Sequence, residues 1–269
     1  MSDPYECFQA GQLSEAVTAA TEVVRNRPSD IAARSLLAEL LCFAGDLERA
    51  DKQLDAVGEV DSDAAVGGSL LRHLVRSELC RREVYEAGRV PEFLTQPDSA
   101  LQSRLQALIS LRDGDAPQAA EHVTAAREQE AVVSGEYDGN AFSGMTDLDD
   151  LLGSTLEVYT ATGKYYWLSL SQIVSLEMKP VQHLSDQLWR SADIETVGDV
   201  SGHVHVPALY YGSHSAEDQR LCIGRATDWQ ERHAGLICGV GQREWLLGEE
   251  VAAVNSVASL SFVHTSAEE

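Results

Sequence analysis

Gly11-Gln-Leu-Ser-Glu-Ala16-Val-Thr-Ala-Ala20-Thr-Glu-Val23 and Gly45-Asp-Leu-Glu-Arg-Ala50-Asp-Lys-Gln-Leu54-Asp-Ala-Val57 align without a gap. Gly11 answers Gly45, Ala16 answers Ala50, Ala20 answers Leu54 and Val23 answers Val57, each at the ~34-residue spacing of a tetratricopeptide repeat. A glycine opens each copy where the turn between two antiparallel helices needs positive φ or close approach. The alanine five residues on lets the helices touch, and the apolar residues after it lie on the same helical face. Pro28 ends the first copy because it has no amide hydrogen to donate. A further copy centres on Gly114, with Leu105, Leu108, Ile109 and Leu111 before it and Ala119, Val123 and Ala126 after it. The copy between them is degenerate. Leu70, Leu71, Leu74, Val75 and Leu79 form an amphipathic helix, and Gly88-Arg-Val-Pro91-Glu-Phe93-Leu94 keeps only the outline of a turn. Stacked helix pairs of this kind make a curved array whose concave face holds a peptide or helix.

Past Ser134-Gly-Glu-Tyr-Asp-Gly-Asn140 the period changes from helical to alternating. Leu156–Thr160 and Lys164–Leu170 flank the turn Ala161-Thr-Gly163 and predict a β-hairpin. Further strands are expected over Ile173–Glu177, Asp193–Val197, His203–Tyr211, Leu221–Arg225, Gly235–Val240, Arg243–Leu247 and Val257–Val263. Asp147–Leu152 reads as a short helix. All four tryptophans, Trp167, Trp189, Trp229 and Trp245, fall in this half and are expected to build its core. The expected fold is therefore α+β in two domains: residues 1–140 a tetratricopeptide-like α-hairpin array, residues 141–269 a small antiparallel, barrel-like β domain.

The 269 residues carry 43 acidic and 20 basic side chains, a formal charge of −23 spread over both halves. That field repels nucleic acid and anionic membranes and attracts a basic helix or protein face. No stretch is long and apolar enough to span a bilayer, and the first residues lack the basic cap and apolar run of a signal peptide. The five cysteines, Cys7, Cys42, Cys80, Cys222 and Cys238, have neither disulfide-framework nor zinc spacing, so a reducing, cytoplasmic setting is expected.

Chemistry-bearing motifs are sparse. His203-Val-His205 places two imidazoles on one face of a strand, but no carboxylate or thiol is spaced to complete a metal site. Gly239-Val-Gly241-Gln-Arg243 lacks the third glycine and the Lys-Ser/Thr of a phosphate loop. Asp149-Asp150 and Glu249-Glu250 read as solvated surface. No catalytic residue and no cofactor is predicted. The alternative is a small hydrolase or ligand-binding protein using His203, His205 and a cysteine.

The N-terminal repeats, together with Asp147-Leu-Asp-Asp-Leu-Leu152, Gly163-Lys-Tyr-Tyr-Trp-Leu168, Leu188-Trp-Arg190, Val206-Pro-Ala-Leu-Tyr-Tyr-Gly-Ser213, Thr227-Asp-Trp229 and Gly239-Val-Gly-Gln-Arg243, resemble the ImpE family, also called TagJ or SciE. The resemblance spans about residues 8–263. One departure is Tyr211-Gly-Ser213, where the family often has Pro-Gly-Ser. The resemblance implies a non-enzymatic cytoplasmic accessory protein of bacterial type VI secretion. Its implied partner is the N-terminal amphipathic helix of the small contractile-sheath subunit, with a consequent influence on sheath recycling by an AAA+ ATPase. The partner trough is expected on the first helices of each pair, from Leu37, Leu40, Leu41, Leu71 and Val75 with Arg34, Arg72 and Arg76 at the rim. The competing placement uses Tyr165, Tyr166, Tyr210 and Tyr211 of the β domain. A homo-oligomer capping the apolar end of the array is a third possibility.

Overall fold

The computed structural model describes residues 2–60, 64–198 and 200–264. Seven helices come first: α1 (Pro4–Gln9), α2 (Leu13–Asn26), α3 (Ile31–Phe43), α4 (Leu47–Val60), α5 (Ala64–Ala87), α6 (Ser99–Arg112) and α7 (Ala116–Gln129). α1/α2, α3/α4 and α6/α7 are hairpins whose turns hold Gly11, Gly45 and Gly114 at φ +83, +73 and +84, the conformation the repeat glycines predict. At Gly45 a Cβ would also lie 2.2 Å from the His214 ring, so close approach adds to the turn's demand. Asp30, Asp98 and Asp115 cap α3, α6 and α7 by accepting the amides of Ala33, Leu101 and Gln118.

α5 departs from the repeat. It runs for 24 residues, and among the described residues no helix follows it as a hairpin partner. With Pro91 and Pro97 breaking helix, the chain after α5 runs beside the sheet instead, where the Glu92 amide donates to the Tyr165 carbonyl and the Trp167 amide to the Glu92 carbonyl, both at 3.0 Å. The missing partner of α5 is thus the β domain itself.

That domain comprises β1 (Ser134–Tyr137), β2 (Asn140–Ser143), β3 (Met145–Asp147), β4 (Thr155–Thr160), β5 (Tyr165–Ser169), β6 (Ile173–Met178), β7 (Trp189–Thr196), β8 (Val200–Pro207), α8 (Gln219–Cys222), β9 (Thr227–His233), β10 (Leu236–Gly241), β11 (Glu244–Leu247), β12 (Glu250–Ala253) and β13 (Ser259–Phe262). Eight strands form one antiparallel sheet in the order β2-β1-β13-β6-β7-β8-β4-β5, with β12-β11-β3 and β10-β9 as smaller sheets. The large sheet stays open, so the barrel-like closure is corrected. Two further expectations change. Leu221–Arg225 is not a strand: Leu221 and Cys222 lie in the short α8, whose start Asp218 caps through the Arg220 amide. Asp147–Leu152 is not a helix: β3 ends at Asp147 and a turn follows. The stretch 134–140 belongs to the β1–β2 hairpin, which β13 pairs with, so the chain enters the sheet before residue 141.

Trp167, Trp189 and Trp245 are buried in one core continuous with that of the helices, while Trp229 is 38% exposed and tilts against Tyr210 at 5.6 Å. No helix among the described residues is long and apolar enough to cross a membrane.

Candidate partner-binding groove

The two halves are joined by buried charge. Arg81 of α5 makes a two-pronged contact with Glu157 of β4, Nε to Oε1 and Nη2 to Oε2, both 2.8 Å. Arg243, fully buried, reaches the same carboxylate through Nη1 at 3.0 Å and Asp147 through Nε. The Tyr165 hydroxyl also donates to Glu157, and the Trp167 indole donates to Tyr165. Tyr159 donates to Glu78 of α5 at 2.5 Å. Burial alone would raise the Glu157 pKa, but Arg81 and Arg243 outweigh it and hold this carboxyl below its ordinary value.

Asp149 is likewise interior, which corrects its reading as solvated surface. Its oxygens accept the amides of Leu151 and Gly239, each at 2.8 Å. Burial first, and the charge of Asp147 second, push its pKa up to about 7. Its neighbour Asp150 pairs with Arg127.

Most of the expected trough is interior. Leu37, Leu40, Leu41 and Val75 are core, none more than 2% exposed. Tyr165 and Tyr210 are core as well; the Tyr210 hydroxyl donates to the Glu244 carbonyl at 3.2 Å. A partner surface made of these six residues is therefore corrected: each is spent on the protein's own interior. Arg34 donates to the Pro28 carbonyl at 2.6 Å and to Gln53 at 2.8 Å, locking α3 to α4. Arg72 pairs with Asp51 and Asp55 of α4, both at 2.8 Å. Arg76 is exposed and packs at the β4–β5 turn beside Gly163. Tyr166 is half-buried, with the Lys164 ammonium 5.9 Å from its ring centre, and Tyr211 stacks on Tyr85 at 4.1 Å.

One groove of about 290 Å³ lies among α3, α4, α5 and the His183–Asp186 segment. Leu54 of α4 and Leu70, Leu71 and Leu74 of α5 form its apolar part. Leu70 is exposed and Leu71 half-buried, as a binding floor requires. Opposite stand Glu39 of α3, the segment His183–Asp186 and His205 of β8. Only Leu71 of the expected trough is here. Glu39, Leu54, His183 and Asp186 were missed because they come from segments that meet only in three dimensions. The one local signal is Glu39, the sole acid in α3.

Ser185 donates through its hydroxyl to Glu39 Oε1 at 3.0 Å, anchoring the wall to α3. Burial raises the Glu39 pKa, with Ser185 opposing. His205 is 2% exposed, and its Nδ1 has no hydrogen-bond partner. Burial, then nearby His203, pull its pKa down to about 4. Folding thus keeps a neutral imidazole that the unfolded chain protonates below its ordinary value near 6.5. This contribution is complete above pH 6.5 and is lost as pH falls towards 4. Between pH 7.5 and 5.5 His205→Phe, which cannot titrate, is expected to lose about 1–1.5 kcal/mol less stability than the parent in urea unfolding.

His203 is exposed, bonded to Asp193 at 3.0 Å and Ser191 at 3.1 Å, and meets His205 edge-on at 5.1 Å. No cysteine is among the described residues lining the groove. The described residues hold no group of three or more His, Cys, Asp or Glu placed to hold a metal ion.

Two family models match: ImpE protein over residues 139–261 and a tetratricopeptide repeat over residues 8–74. A curated relative, the type VI secretion system accessory component TagJ of Pseudomonas aeruginosa, is 33% identical over 266 residues, covering 97% of this chain and 92% of its own. The crystal structure of a Vibrio parahaemolyticus protein superposes with a TM-score of 0.91 at 27% identity, covering 98% of both chains.

Proposed function

The chain belongs to the ImpE protein family, and from that premise we propose that it is a non-enzymatic cytoplasmic adaptor of a type VI secretion apparatus that seats an amphipathic helix in the groove between α3, α5 and the His183–Asp186 segment. The helix is that of the small sheath subunit, and holding it influences how the AAA+ ATPase recycles contracted sheath. The observation that carries the reading is the groove itself: Leu70 and Leu71, accessible and backed by the buried Leu54 and Leu74, lie with a polar wall, the receptor form that the apolar anchors of an amphipathic helix fit. The acidic chain adds attraction for a basic partner.

Isothermal titration of the full chain with a synthetic peptide of the sheath subunit's N-terminal helix tests this. Binding tighter than ~100 μM is expected, equivalent to roughly 5.5 kcal/mol. Leu70→Glu places a charge on the exposed floor without emptying the core, and affinity should fall about tenfold or more. Absence of heat with the parent protein overturns the proposal.

A further inference from the structure

The polar wall is unusual in what it leaves unpaired. Both hydrogen bonds from Ser185 fall on Glu39 Oε1, so Oε2 has no partner among the described residues. Asp186 spends Oδ2 on the amides of Gln182 and His183, at 2.7 and 2.8 Å, and its Oδ1 has no partner among them either. The Nδ1 of His205, in a ring 98% buried, is the third unused position. No lysine or arginine is among the described residues that line the groove. Two buried or half-buried acids, by contrast, are answered by arginines: Glu157 by Arg81 and Arg243, and Glu130 by Arg104.

We propose that Glu39, with Asp186 and His205, forms a receptor for one basic side chain of the bound helix, so that the groove reads a lysine or arginine set beside the helix's apolar stripe. This rests on the helix-capture reading above and adds its specificity rule. The leucines bind any amphipathic helix of the right width, whereas an acidic pocket at one end selects a helix carrying a cation there. It also fixes the helix's direction, because reversing it moves the cation away from Glu39. A charge-assisted hydrogen bond in a half-buried groove is the type of contact that sets register and dissociation rate.

The test uses the full chain and the same synthetic sheath-subunit helix, with each lysine or arginine of the peptide replaced singly by glutamine. Glu39→Gln keeps an oxygen for Ser185 and removes the charge. Glu195→Gln removes an exposed charge from β7, outside the residues that line the groove, and is the control. The expected result is a loss of about tenfold or more for Glu39→Gln, the same loss for one particular peptide variant, no added loss when the two are combined, and less than a twofold change for Glu195→Gln. If Glu39→Gln and every peptide variant bind within twofold of the parent pair while Leu70→Glu still weakens binding, the basic-residue rule is overturned and helix capture stands. If the parent peptide fails to bind, or Leu70→Glu binds like the parent, helix capture itself is overturned.

Discussion

Arg243→Met is expected to lower the unfolding free energy by about 3–5 kcal/mol. The methionine fills much of the arginine's volume but leaves buried Asp147 without its cation and Glu157 with Arg81 alone. A buried charge stripped of its partner is costly because neither water nor another donor replaces what is lost. The Thr155 carbonyl, which accepts from Nη2 at 3.3 Å, loses its donor too. Arg243→Lys should recover only part of the loss, since an ammonium cannot reach two carboxylates and a carbonyl along three directions as a guanidinium does. Urea unfolding followed by tryptophan fluorescence checks both, Trp167 and Trp245 being buried in the affected core. A midpoint for Arg243→Met unchanged from the parent would show that the network contributes little.

Gly241→Ala is expected to cost about 2–5 kcal/mol, the sum of backbone strain and overpacking. At φ +96 the residue lies where a side chain is disfavoured, and the new Cβ would fall 2.1 Å from the Ala226 carbonyl oxygen and 2.8 Å from Leu221 Cδ2. The backbone cannot step aside cheaply: the Gly241 amide donates to Ser213 Oγ at 2.7 Å and its carbonyl accepts the Tyr210 amide at 3.0 Å. Gly11→Ala is the control. Its φ is similarly positive, but nothing lies within 4 Å of the added carbon, so it should cost only the strain, about 1–2 kcal/mol. Equal losses for the two would refute the steric part of the argument.

The helical half was legible because a repeat states its geometry twice: the glycines at 11, 45 and 114 each mark a turn, and the alanines after them mark a contact. The missing hairpin partner of α5 was legible only as a degenerate copy, since its replacement by β5 depends on a pairing between residues 92 and 166. In the β half, alternation found the central strands. It failed where capping outweighed β-propensity, as at Asp218, and where side-chain polarity masked burial, as at Asp149. The groove was mostly illegible. Leucines at helical spacing look alike whether they face a partner or the chain's own second half, and only the position of the β domain separates Leu71 from Leu37 and Leu41. The packing role of the Gly-Val-Gly-Gln-Arg stretch lay out of reach of sequence: Gly239 leaves room for the Tyr210 ring, Gly241 for a carbonyl, and Arg243 bridges two acids.

Open helical solenoids behave as springs, widening or tightening to suit what they hold. Here the C-terminal part of α5 is pinned by Glu78, Arg81 and Tyr85 to β4 and its surroundings. On the helix-capture proposal, that bracing resists any change of curvature at this end, so less ordering entropy is left to be lost on docking and a helix of mismatched ridge is disfavoured.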